Sequence, residues 1–522
     1  MQLVLPSARP ALSPILAAFL TFFAAATVLV LEIAAGRLLA PYVGVSLTTY
    51  TGIIGVILAG IALGAWAGGR AADAYGPVGL LGPTFIAGGL ASMAAVPIVD
   101  VVGTLGLGNG VGAIVTLAAI GFVAPAAMLS AVAPMIVRAT ITDIATSGSL
   151  VGRLSAVGTV GAISGTFLTG FVLLGSLPTR AIILVAGGLV VLVGAWLAWR
   201  ARQVGDSGTT DDAAEPAQTG DRAGPAILGA LAGILVVSGA ALAAPNPCQR
   251  ESAYYCIAVV SDPARASGRT LVLDRLRHAY VDLTDPNRLE FGYARWFDAA
   301  LAPVLTEAGA VHVLHVGGGG FSFPRHLVAA HPGSRHTVLE LDPVVYEVAR
   351  TELGFEPSDA VSVVIGDARL SIEELADNTA DAVVGDAFGG LSVPWHLTTV
   401  EFLAEVDRVM RPGGTYVMNL IDGPDLAFVR AATRTLADRF EHVAVVSSPV
   451  AFSALQGGPG GGGNVVLIAS HLEFDTRAIV DAAARAGDEV LLIAGNAGLA
   501  GFVADAPLLS DDFAPVDQLI GR

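Results

Sequence analysis

The sequence predicts a two-part chain: an N-terminal α-helical multi-pass membrane domain of about seven helices, then a C-terminal doubly wound α/β domain preceded by a small β-hairpin subdomain. Three observations lead there. The 522 residues are too many for one ordinary domain, and a mean hydropathy of +0.68 with only 14% charged residues is too apolar for a wholly water-exposed chain. Apolar runs of spanning length crowd the first half. Past about residue 245 the pattern changes to short strands alternating with helices. The expected divisions are 1–245 for the membrane domain, with an inner loop at 200–224, then 246–300 for the β subdomain and 301–522 for the α/β domain.

A hydrocarbon core of about 30 Å takes about 20 apolar residues to cross as a helix. Such runs lie near 14–34, 50–68, 80–102, 111–136, 156–175, 181–199 and 225–244. The first follows a single Arg9 and shows no small-residue cleavage site before Glu32, so it reads as an uncleaved span. Gly52, Gly55, Gly60, Gly64 and Gly68 read as packing positions, where helices in lipid approach closely. Glu32 is the costliest side chain in the spans; a pair with Arg37 near the helix end and a transport role are both open readings.

The arginines set the orientation. An N-terminus inside the cell places Arg9, Arg70, Arg138, Arg153, Arg200, Arg202 and Arg222 on the inner side and only Arg37 and Arg180 outside. Gly69, Asp73 and Gly76 in GGRAADAYG resemble the cytoplasmic loop after the second helix of major-facilitator transporters, which agrees. Seven spans then put the α/β half on the outer face of the cell membrane. The only cysteines, Cys248 and Cys256, follow the last span; an outer location favours a disulfide between them, and two separate thiols are the alternative. The lipid bilayer is thus one partner. Nucleic acid is excluded, because the net charge is −17 and no basic patch exists.

In the second half, ESAYYCIAVV, RTLVLDRL and HAYVDL read as short antiparallel strands. From residue 311 the rhythm is βαβ: VHVLHV, a glycine turn, a helix from about 324, HTVLELD, a helix from about 343, then VSVVI, DAVVGDAF, TYVMNLI and VVLIAS, read as a parallel sheet. The first strand ends in Gly317, Gly318, Gly319 and Gly320, where backbone can approach a ligand. The second ends in Glu340 and Asp342, where a carboxylate can take both hydroxyls of a ribose. Asp367 and Asp386 follow the third and fourth strands. Four such features at carboxyl ends of parallel strands make a nucleoside-binding constellation, although Asp367 and Asp386 also suit helix caps. No His/Cys/Asp cluster has metal-ligand spacing.

The stretch from about 251 to 470 resembles the spermidine synthase (polyamine aminopropyltransferase) family, and the whole chain its membrane-fused bacterial relatives. The matching phrases are RTLVLD, LEFGYARWF, VLHVGGGG, VLELDPVVYEVAR, VVIGDAR, and DAVVGDAF with VPWHLTTVEFL. The resemblance implies a Rossmann-like, class I methyltransferase-type domain that transfers an aminopropyl group from decarboxylated S-adenosylmethionine, a co-substrate, to the polyamine putrescine. It implies that Glu340 holds the donor's ribose and Asp367 its adenine amino group, that Asp386 is the catalytic aspartate and Tyr293 the active-site tyrosine, and that the protein forms a homodimer. Read locally, Tyr293 equally suits a core aromatic beside Trp296 and Phe297, and His396 a structural role.

Two departures stand out. The family pattern GGGDGG reads GGGGFS, so Gly320 replaces the aspartate that grips the donor's amine, and Gly389 replaces a second acidic residue. Glu251, Asp274 and Asp282 are candidates to compensate, and a glycine run, 456–463, replaces an ordered substrate-facing segment. Rival readings are another S-adenosyl-dependent transferase, methyltransferase-like, using S-adenosylmethionine, and a non-catalytic sensor or transport-linked membrane protein.

Overall fold

The computed structural model describes residues 12–108, 110–143, 147–206, 224–307, 310–452 and 461–520, and the chain divides into two compact units, Met1–Cys256 and Ile257–Arg522. The first unit is helical: α1 (Pro14–Val43), α2 (Leu47–Tyr75), α3 (Pro77–Gly103), α4 (Val111–Thr140), α5 (Ser147–Ser176), α6 (Thr179–Asp206) and α7 (Gly224–Ala243). Six of these are long and apolar enough to cross a membrane, and α7 adds a shorter apolar stretch, Ile227–Ala243, so the count is near the expected seven. Ser13 and Ser46 cap α1 and α2 by accepting from the backbone N–H of Leu16 and Thr49. Gly44 ends α1 at φ 80, a left-handed conformation that glycine adopts without a Cβ penalty. Residues 200–206 continue α6, and the rest of the expected inner loop up to 223 lies outside the described residues.

Small residues decide the helix packing. A Cβ on Gly64 would stand 2.0 Å from the carbonyl oxygen of Ala127, and one on Gly68 2.5 Å from that of Ala131, so α2 and α4 meet backbone to backbone. Gly161 and Gly165 of α5 meet the carbonyls of Phe22 and Ala26 on α1 in the same way, at 2.3 and 2.4 Å.

Polar groups gather at one end of this bundle. Buried Asp100 accepts from Tyr42 Oη at 3.0 Å and from the Arg180 guanidinium. Arg180 also donates to the carbonyls of Ala241 (3.4 Å) and Pro245, and Glu251 accepts from the Thr179 N–H at 2.9 Å. Arg37 donates to the carbonyls of Ser252 (2.8 Å) and Tyr254. The Glu32–Arg37 pair, one of the two open readings, is therefore not formed, because the guanidinium is taken up by the segment after α7. A short strand β1 (Arg250–Glu251) lies in that segment, which a disulfide between Cys248 and Cys256 closes. At the opposite helix ends Arg138 bridges to Asp73 at 3.2 Å, both exposed.

The second unit begins with an antiparallel meander, β2 (Cys256–Asp262), β3 (Arg265–Leu273) and β4 (Leu276–Asp282). Then come α8 (Gly292–Glu307), β5 (His312–Val316), α9 (Ser322–Ala330), β6 (Arg335–Glu340), α10 (Pro343–Glu352), β7 (Val361–Ile365), α11 (Ala368–Glu373) and β8 (Ala380–Gly385). They are followed by α12 (Val400–Val409), β9 (Met410–Asp422), α13 (Ala427–Arg439), β10 (His442–Ser447), β11 (Gly463–Ser470), α14 (Thr476–Arg485) and β12 (Leu491–Ala494). The eight-stranded sheet runs β12-β10-β11-β9-β8-β5-β6-β7. Strands β7, β6, β5, β8 and β9 are parallel, whereas β11 pairs antiparallel with both β9 and β10, and β10 antiparallel with β12. The expectation of a wholly parallel sheet is corrected: the sheet is mixed. β11 slots between β9 and β10, which run parallel to each other and are joined through α13; only the antiparallel return from β10 to β11 needs no helical crossover.

The strands alternate, with one irregularity between Ala380 and Ala382 of β8. Leu314, Val316, Val383, Tyr416, Met418 and Leu420 pack on one face with Phe402 of α12 and Phe428 of α13. Val313, Ala382, Val384, Val417, Val466 and Ile468 pack on the other with Phe297 and Leu301 of α8 and Phe323 of α9. That parity decides where the site side chains point.

Replacement of Gly64 by leucine should separate α2 from α4, at a cost on the order of 1–3 kcal/mol for overpacking. A lowered unfolding temperature of the detergent-purified chain checks this; Gly55→Leu, with open space around its Cβ position, is the neutral control.

Candidate active site

The site lies at the carboxyl edge of the parallel strands, where the chain order reverses between β5 and β8, the position at which open α/β sheets form a crevice. Gly317 leaves β5 with φ 101, its N–H donating to the Leu339 carbonyl at 2.9 Å. A Cβ there would stand 2.4 Å from the carbonyl oxygen of Asp386, so only glycine lets the two strand ends come this close. Gly318 and Gly319 aim their N–H groups at Glu340, whose Oε2 accepts both at 2.9 Å while Oε1 accepts from the Asp342 N–H at 2.9 Å. Burial pushes the Glu340 carboxyl up, and these three hydrogen bonds oppose it. Asp342, the other carboxylate at the end of β6, caps α10 through the Val344 N–H at 2.9 Å. It is fully buried.

Asp367 caps α11 by accepting from the Arg369 N–H at 2.8 Å, and its other oxygen lies 3.5 Å from His396 Nε2. Asp386 is not a cap. Its Oδ2 accepts from Tyr293 Oη at 3.1 Å and its Oδ1 from Asn419 Nδ2 at 2.9 Å. Asn464 Nδ2 donates in turn to Asn419 Oδ1 at 3.0 Å. Burial pushes the Asp386 carboxyl up to about 6, against the two hydrogen bonds that favour its charged form. Burial first, then the carboxylate, hold Tyr293 well above the usual phenol range, so the shared proton stays on the tyrosine. Tyr293 stands at the start of α8, its ring edge-on to Phe297 at 5.6 Å. Such a pair, a base poised near neutrality and a phenol fixed on it, can orient and deprotonate a nucleophile.

Of the residues expected to compensate for lost carboxylates, Glu251 is used on the Thr179 N–H, and Asp282 accepts from Thr284, Asp285 and Arg265. Asn419 and Asn464 were not singled out from the sequence; their signal was strand parity alone. Most of the glycine run 456–463 lies outside the described residues.

The methyltransferase domain family model matches residues 314–418. The chain is 35% identical to a polyamine aminopropyltransferase of Vibrio vulnificus over 156 residues, 30% of this chain and 51% of that protein. It is 31% identical to one of Chromobacterium violaceum over 144 residues, 27% of this chain and 54% of that protein. The chain is thus similar to polyamine aminopropyltransferases over less than a third of its length. The chain spans about half the length of these curated relatives. A solved structure, a probable spermidine synthase from Corynebacterium glutamicum, aligns with a TM-score of 0.47 at 27% identity, covering 52% of this chain and 99% of that one.

Against the spermidine synthase pattern, the two lost carboxylates sit in different surroundings. Gly320 is buried, and a Cβ there would stand 2.6 Å from the Ala279 Cβ of β4. Phe321 follows at φ 54, a left-handed backbone costing on the order of 1–2 kcal/mol that is held by a fully buried ring stacked 4.2 Å from Phe355. Gly389 is exposed, with nothing closer than 3.8 Å to its Cβ position. Gly320→Asp should therefore cost about 3–5 kcal/mol as an overpacked, unpaired buried charge, and Gly389→Asp almost nothing. Thermal unfolding of the two variants compares them directly.

Proposed function

We propose that the second unit transfers an aminopropyl group from decarboxylated S-adenosylmethionine to putrescine, giving spermidine. The observation that carries this reading is the Tyr293–Asp386 pair at the strand edge, beside a glycine turn whose N–H groups and Glu340 form a nucleoside cradle. Glu340 would hold the ribose with its remaining acceptor capacity, and Asp367 the adenine amino group. Putrescine's neutral nitrogen attacks the carbon beside the sulfonium. The new C–N bond forms as the C–S bond breaks, its electron pair leaves on sulfur, and the nitrogen's extra proton passes to Asp386.

Because Asp386 must be ionised to accept that proton, turnover should rise with pH through about 6 and fall away below it. Asp386→Asn should lose about 100- to 10,000-fold in kcat. The assay is spermidine formation by the purified full chain. No turnover in wild type at any pH counts against the reading.

A second reading, methyl transfer from S-adenosylmethionine, draws on the buried Gly320, which leaves no carboxylate for the amine of the decarboxylated donor, and on the methyltransferase-domain match. Calorimetry separates the two by which donor binds more tightly.

We further propose that the membrane unit places residues after 245 on the outer face. Described arginines 70, 138, 153, 200 and 202 lie toward the helix ends opposite the Asp100–Arg180 network, and α7 ends at that network through Ala241. The disulfide of Cys248 and Cys256 belongs to an oxidising compartment. Protease should cut the second unit in intact spheroplasts; protection until the membrane is permeabilised would reverse the assignment.

A further inference from the structure

We propose that Asn464 is a positioning residue for the proposed base, acting through Asn419 to hold the Asp386 carboxylate in its reactive orientation. The inference rests on the reading of Asp386 as base and deepens it.

Three strands supply the chain of contacts. Asp386 follows Val384 of β8, Asn419 follows Val417 of β9, and Asn464 precedes Val466 of β11, and those valines all pack on the α8 face. In the β9–β11 register Asn419 stands opposite Val466, so Asn464 is its diagonal neighbour on the same face. The result is a directed line: Asn464 Nδ2 to Asn419 Oδ1 at 3.0 Å, then Asn419 Nδ2 to Asp386 Oδ1 at 2.9 Å.

The direction is the functional point. An asparagine amide has a donor end and an acceptor end of nearly equal shape, and only the donor end favours a carboxylate. Asn419 is 1% exposed, so its oxygen has no access to bulk water and needs a protein donor. Asn464 supplies it. With that donor in place Asn419 presents N–H to Asp386; without it, the amide gains by turning its oxygen toward other donors, and the carboxylate loses an anchor. The Asn464 backbone is fixed in turn by the neighbouring strand β10, where the Ser447 hydroxyl donates to the Asn464 carbonyl at 2.7 Å. Tyr293 holds the second carboxylate oxygen, so each oxygen accepts one fixed bond and keeps a lone pair for an incoming amine.

The test reads the titration of Asp386 itself, by infrared difference spectroscopy of the full chain in detergent, with the protonated-carboxyl band assigned by its loss in Asp386→Asn. Asn419→Leu should raise the midpoint by about one unit. Asn464→Leu should raise it in the same direction by a smaller amount, and the double variant should match Asn419→Leu alone, since Asn464 acts only through Asn419. The acidic limb of kcat should move upward with the titration while KM for the donor stays constant. Asn464→Ala replaces Asn464→Leu if the latter lowers the unfolding temperature. An unchanged midpoint in both Asn464 variants, or shifts that add in the double variant, overturns the proposal. A chain that forms no spermidine yet shows the non-additive titration retains the positioning role and loses the proposed reaction; an active chain with additive shifts does the reverse.

Discussion

The close approach of Gly317 to the carbonyl of Asp386 is the constraint on which the second unit's strand edge depends. Those two residues directly follow β5 and β8, adjacent parallel strands from which the chain departs in opposite directions. The Asp386 N–H donates to the Val316 carbonyl at 2.9 Å, so the ladder continues to the last residue of each strand. Any side chain at 317 would push the ends apart and take the glycine turn with them. The turn's N–H groups would then lose Glu340, and two of the three hydrogen bonds that oppose the cost of burying that carboxyl would go together. The glycine turn with Glu340 and the Tyr293–Asp386 pair are thus one rigid feature, set by one absent Cβ.

Around that fixed point, strand parity does the rest. A period of two gives every strand one face toward α8, and a residue along or just past a strand shares the face of the residue two before it. Asp386 and Asn419 share a face for that reason. The same parity places Tyr416, and with it the bulk of the other core, on the opposite side. A carboxylate with an elevated pKa needs burial to raise it and directed donors to keep it ionisable near neutrality; the α8 face supplies both through Tyr293 and Asn419.

Much of this was legible in the sequence, and for physical reasons. The glycine turn, Glu340 and the strand-end aspartates are local signals, because each residue's role follows from its place at the end of a recognisable strand. Tyr293 carried no such signal; its phenol reaches Asp386 across 93 residues of chain, and only the family resemblance pointed to it. Read locally, the strand-end carboxylate could be Glu340 or Asp342; an acidic residue just past a strand equally suits the next helix's N-cap, and Pro343 at the first helical position favours the cap for Asp342. The mixed sheet was missed because a fully apolar strand such as VVLIAS reads identically in either direction. Asn419 and Asn464 sit inside such strands, and nothing local distinguishes a buried asparagine that directs a base from one that completes a core.

The helical unit uses the opposite economy. Its interior is built from absent side chains, glycines that let α2 reach the backbone of α4 and α5 that of α1, so there is little in it for a charge to pair with. The buried Asp100 network and the backbone contacts of Arg37 are accordingly confined to one end, where Tyr42, Arg180 and the carbonyls after α7 supply partners. Arg37 shows why the pair with Glu32 does not form: the carbonyls of Ser252 and Tyr254, in the segment after α7, together match a five-donor guanidinium better than one carboxylate deeper in the apolar run. By holding Pro245, Glu251, Ser252 and Tyr254, Arg180, Thr179 and Arg37 extend the helical unit past the last span, and the Cys248–Cys256 link closes that extension where the second unit begins.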